Sequence, residues 1–210
     1  MSNYKILNRF SYSPTPESMS RLQELGYDAF VEEQLSPVDA DDDEYLNQYD
    51  SFSFISDEPI LNGKGFDYLE ATLTELWNIL KTDKSIDKKA RLPLSEVCAD
   101  TCLRAVYSKW QLRELMVQFW HNHFNVSVEA GEQIAVTFPL YDRDVIRKNC
   151  FGNFREFLED VAKSQSMLFY LDNAYSRASP ANENYARELF ELHTLGEDNY
   201  LNHLYNKWKE

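Results

Sequence analysis

Apolar residues return every three or four positions in segment after segment of this chain, and that period is the signature of helices. In FDYLEATLTELWNILKT, residues 66–82, Leu69, Leu73, Leu76, Trp77 and Leu80 fall on one side of a helix. Six glycines and seven prolines in 210 residues leave few positions to interrupt such elements. The segment SPTPESMSRLQELGYDAFVEEQLSP begins with a proline pair and carries a stripe of Leu22, Leu25, Phe30, Val31 and Leu35. Gly26 divides it into two short helices. LSEVCADTCLRAVYS and WQLRELMVQFWHNH form two more helices with a joint near Ser108, and FPLYDRDVIRKNC starts another. GNFREFLEDVAKS and QSMLFYLDN make a further pair. SPANENYARELFELHTLG is a helix headed by Ser179 and Pro180 and stopped by Gly196. NVSV alternates, but over four residues only. The expected fold is mostly α: a single domain over 1–210, an irregular bundle of about eight helices with long loops and little or no strand.

Two regions stand outside this pattern. Residues 36–65 are polar, acidic and dotted with aromatics, and read as a long loop or insertion. Its acidic run VDADDDEY, residues 38–45, reads as solvated; it lacks the glycine and closing glutamate of a calcium loop. KTDKSIDKKARLP is a charged linker closed by Pro93. At the other end, Leu201, Leu204, Tyr205 and Trp208 repeat as i, i+3, i+4, i+7, an apolar helix face that needs something to pack on. The expectation is that the chain is the N-terminal part of a longer protein.

Charge narrows the function classes. A formal net charge of −14 repels nucleic-acid phosphates and anionic lipid headgroups, so neither nucleic acid nor membrane is expected as a partner. No stretch approaches the apolar length of a spanning helix. MSNYKILNRFSYSPTPES lacks the pattern of a secretory signal. Three cysteines argue against a disulfide framework. Cys98 and Cys102, four apart in a helix, would share one face, and read as small buried hydrophobes.

The sharpest local feature is FWHNHFNV, residues 119–126, which holds two of the chain's four histidines. If the helix runs through it, Leu112, Leu115, Met116 and Phe119 form the buried face and His123 joins them, while His121 points about 200° away. Then the two cannot share a metal. If the helix stops at Trp120 and the chain extends, His121, His123, Asn125 and Ser127 line one face, and both imidazoles converge. The second cluster is NENYARELFELHTLG. On a helix, Glu183, Arg187 and Glu191 form an i, i+4, i+8 ion ladder. Glu188, with Asn184 one turn earlier, is a candidate ligand or general base. His193 has Phe190, not Glu, three positions before it, so the di-metal bundle pattern fails. Arg143, Arg147 and Arg155 are expected to pair with internal carboxylates. Nucleotide-binding and serine-hydrolase motifs are missing.

LNRFSYSPTPE, LGYDAFVEEQLSP, LRELMVQFWHNHFNV, YDRDVIRKNCFGNF, SQSMLFYLDNAYS and NENYARELFELHTLG, in this order, resemble the bacterial family named domain of unknown function 1800, over about Leu7 to Gly196. The resemblance implies a mostly helical protein about twice this length, whose C-terminal half is missing here. It implies export in many members and a sulfatase-like partner encoded alongside. It carries no activity, and marks the WHNHF and NENYAREL blocks as hallmarks. Two expectations follow. In one, His121 and His123 hold a divalent metal beside Glu188, Arg187 and His193, with Asn182, Glu183 and Asn184 around them, in an enzyme-like polar centre. In the other, the same residues form a buried network in a scaffold, and His123→Ala costs on the order of 1–3 kcal/mol.

Overall fold

The segment EQIAVTFPL has no polar stripe after its first two residues, so it is stable only where other elements surround it. The computed structural model, which describes residues 3–82, 91–179, 181–196 and 199, places this segment at the centre as a helix, Glu132–Leu140. It packs against the helices Leu73–Thr82, Arg91–Tyr107 and Gln165–Tyr170. Ile134, Ala135, Val136 and Thr137 are all buried.

Among the described residues there are eleven α-helices and no strand, so the chain is mostly α. They are α1 Asn3–Phe10, α2 Pro16–Leu25, α3 Tyr27–Leu35, α4 Asp43–Ser51, α5 Leu73–Thr82 and α6 Arg91–Tyr107. There follow α7 Gln111–His123, α8 Glu132–Leu140, α9 Phe154–Lys163, α10 Gln165–Tyr170 and α11 Glu183–Glu191. Short 3-10 turns lie at Asp39–Asp41, Val128–Ala130 and Asn173–Tyr175. Three apolar clusters hold them. Ile6, Leu7, Leu22 and Phe30 join α1, α2 and α3. Ala71, Leu76 and Val136 join α5 to α8. The largest gathers Val117, Phe124, Ile134, Tyr141, Ile146, Phe157, Val161 and Met167 from α7 to α10.

Local chemistry sets the boundaries. Thr15 and Ser18 form a reciprocal capping box, with Pro16 in the first turn of α2. Gly26, at φ +76°, ends α2 and admits α3, the break that its position predicts. The amphipathic segment 66–82 starts its helix at Leu73, later than expected. Thr72 and Glu75 form the cap there: Glu75 Oε2 accepts from both the Thr72 N–H and its hydroxyl at 2.7 Å. Likewise α11 opens at Asn182, whose side chain accepts from Asn184 N, rather than at Ser179. Pro180, most of the charged linker and the Leu201–Trp208 stripe lie outside the described residues.

Three expectations change. The loop read over 36–65 contains α4, and its acidic run is tied to the core. Asp42 is 2% exposed and accepts from the Ser108 hydroxyl and from Lys109 N. Tyr45 donates to Asp100 at 2.6 Å. Second, Cys98 and Cys102 are exposed, because α6 presents them away from its contacts; Cys150 alone is buried. Third, YDRDVIR does not start a new helix. It continues α8 as a π segment, Tyr141–Arg147. Pro139, inside α8, has no N–H for the i→i−4 ladder and loosens it just before the wider turns begin.

Candidate functional site

Helix α7 runs through His123, so the first of the two readings of FWHNHF is the one realised. Its buried face is not the expected one. Arg113, Glu114 and Val117 are buried, whereas Phe119 is 54% exposed and His123 is exposed. A helix buries charges only where partners neutralise them, and here the partners come from two other elements, the 3-10 turn at Asp39–Asp41 and the π segment.

Glu114 accepts from Arg147 Nη1 at 2.7 Å through one oxygen and from Arg113 Nε at 3.2 Å through the other. Arg147 Nε donates to Asp142 Oδ2 at 2.7 Å. His121 Nε2 donates to the second oxygen, Asp142 Oδ1, at 2.8 Å. Arg113 reaches Asp39 with Nη1. A neighbouring pair extends the network: Arg104 Nε donates to Asp100 at 2.7 Å and lies over the Tyr45 ring at 4.1 Å. Burial alone would raise the Asp142 carboxyl, but Arg147 and His121 hold it well below the usual carboxylate range. The Arg147 guanidinium is disfavoured by burial, yet Asp142 and Glu114 raise it above its ordinary value. Both stay charged. Arg113 Nη2 and Arg147 Nη2 are buried without a hydrogen-bond partner.

His123 has different surroundings. Its ring lies among Phe119, Trp120, Phe124 and Phe154. Nε2 is 3.4 Å from the His193 carbonyl oxygen, at the outer limit of a hydrogen bond. His193 itself is 5% exposed and edge-on to Phe124. Burial, and then His123, lower its pKa below the ordinary histidine value.

The second block forms its own cluster on α11. Arg187 contacts Glu188 at 3.0 Å, Glu191 at 3.1 Å and Glu183 at 3.9 Å. It also donates to Asn184 Oδ1 at 2.7 Å. Asn182 caps the helix and donates to the Leu171 carbonyl. The structure therefore brings His123 near His193, and gathers Glu183, Asn184, Arg187 and Glu188. His121 goes elsewhere, to Asp142. Among the described residues no group of three or more His, Cys, Asp or Glu is placed to hold a metal. A cleft of about 590 Å³ lies apart from both clusters, with Arg91, Leu92, Val128, Glu129 and Ala135 in its walls.

Glu114, Asp142, Arg113 and Asp39 were not singled out by sequence, although Arg147 was expected to find internal carboxylates. One signal was available: Asp142 and Arg147 share a short stretch with Pro139 just before it.

No characterised protein and no solved structure matches the chain. The family model for "Protein of unknown function (DUF1800)" matches residues 5–204, and the chain belongs to that family.

Proposed function

We propose that this member of the DUF1800 family is a non-catalytic scaffold module, in which the hallmark His, Asp, Glu and Arg side chains lock helices together. One observation supports this above the others. His121 is committed to Asp142 inside a charge-balanced network, while His123, on the same helix, faces an exposed aromatic surface. Such a network resists change because removing one member strands the rest as buried charges. The surface offered to a partner is the aromatic face of Phe119, His123 and Phe154. A sulfatase-like protein is the candidate to try on it.

The rival is an enzyme with a divalent metal held by His121 and His123 and served by Glu188, Arg187 and His193. The contact between His123 and His193 speaks for it. Elemental analysis of the purified chain, with His121→Ala and His123→Ala beside it, separates the two. The scaffold reading expects metal content that neither substitution alters. A stoichiometric transition metal lost in both variants would overturn it.

A further inference from the structure

Free cysteine is among the residues most often buried, and a thiol left in water needs a reason. Helix α6 exposes two, Cys98 and Cys102, one turn apart on the same face, and both are free. Val106, the next position of that row, is 68% exposed.

The pair is poorly placed for a disulfide. Residues four apart on a helix hold their Cβ atoms roughly 5–6 Å apart, whereas a disulfide needs about 3.5–4.5 Å. Closing the bond would unwind a turn of α6, whose Val97 and Asp100 are buried in the fold. A bridging ion fits better. Two metal–sulfur bonds of about 2.3 Å in a line span about 4.6 Å, which two thiols leaning toward each other from that spacing reach without moving the helix.

We propose that Cys98 and Cys102 form a two-coordinate clamp for a soft monovalent cation, of which copper(I) is the biological example. Ligand softness selects it, since thiolates prefer copper(I) among the available ions. Ligand number selects it too. Zinc takes four protein ligands in structural sites, and among the described residues no group of three His, Cys, Asp or Glu is placed to hold a metal. Copper(I) is satisfied by two sulfurs. Binding breaks two S–H bonds and forms two S–Cu bonds; two protons go to solvent and no electron moves. The centre carries one negative charge. Because both thiols give up their protons to the solvent on binding, binding strengthens as pH rises.

The test is an anaerobic titration of the fully reduced chain with copper(I) against a coloured copper(I) chelator, followed by X-ray absorption. The wild type and Cys150→Ser should each take one ion with two sulfur neighbours. Cys98→Ser and Cys102→Ser, both at exposed positions, should fold normally and lose it. Three results would each overturn the proposal: no copper taken from the chelator, copper kept by either serine variant, or one copper bridging two chains. One equivalent of zinc, lost in the same variants, would overturn the two-coordinate assignment.

Discussion

Arg147 Nε meets Asp142 Oδ2 at 2.7 Å across five positions of the chain, a pairing that an α-helix would prevent. At 3.6 residues per turn, residues five apart point about 140° away from each other. The π segment Tyr141–Arg147 hydrogen-bonds i→i+5, and its wider turns bring residues five apart toward the same side. That face turns toward α7, where Glu114 and His121 complete the set.

Removing one charge from this set should cost far more than removing a surface ion. Asp142→Ala leaves Arg147 and its neighbours buried beside a missing anion, and should lower unfolding free energy by about 3–5 kcal/mol. Arg147→Met should cost a similar amount. The double substitution should cost clearly less than their sum, because the second change removes a charge that the first had stranded. Urea unfolding of the three variants measures this; simple additivity would mean that the pair is not coupled.

The sequence showed the elements better than it showed their faces. Thr15 and Ser18, Gly26 and the Leu22–Phe30 stripe act through neighbours within a few residues, so local pattern reveals them. The buried face of α7 was misread because a helical wheel sends Arg113 and Glu114 to solvent. Their partners Asp39 and Arg147 lie 74 and 33 residues away, and only the folded chain supplies them. The acidic run is exposed as expected from Val38 to Glu44 except at Asp42, which reads as solvated until Ser108, 66 residues on, is placed beside it. Within the candidate site, the Arg187 ladder was legible because its contacts stay on one helix. The separation of His121 from His123 was not, since it depended on whether α7 passes Trp120.

Asp42 gives a second prediction. Its carboxylate satisfies the Ser108 hydroxyl and the Lys109 N–H, and Ser108 in turn accepts from Trp110 N at 3.1 Å. This fixes the joint between α6 and α7. Asp42→Ala leaves those buried donors unpaired and should cost about 1–3 kcal/mol. Trp110 is 4% exposed at the joint, so its fluorescence should shift toward that of a wetter site. An unchanged spectrum and midpoint would mean that Asp42 does not hold the joint.

His193 sets a pH dependence. Burial and His123 lower its folded-state pKa, so the native chain holds it neutral. Its stabilising contribution is complete above the unfolded value of about 6.5 and is lost as pH falls from there toward the lower folded value. Amide protection factors in the turn after α11 should fall as pH drops below about 6.5, with a stability slope of at most about 1.4 kcal/mol per pH unit. His193→Phe keeps a ring against Phe124 and should flatten the response. A slope that survives this substitution would assign the acid sensitivity to another group.

The two histidines of WHNHF should respond unequally. His123 is exposed, and its nearest polar partner is a carbonyl at 3.4 Å. His123→Ala should therefore stay within about 0.5 kcal/mol of wild type, as surface substitutions do. The loss first expected there belongs to His121, whose side chain is 23% exposed and hydrogen-bonded to a buried carboxylate. His121→Ala takes one of the partners that keep Asp142 ionised and should cost on the order of 1–3 kcal/mol. The loss should be smaller in an Asp142→Asn background, where the carboxylate charge is already gone. Thermal and urea midpoints of these variants decide the matter. Equal losses at His121 and His123 would tell against a network centred on Asp142.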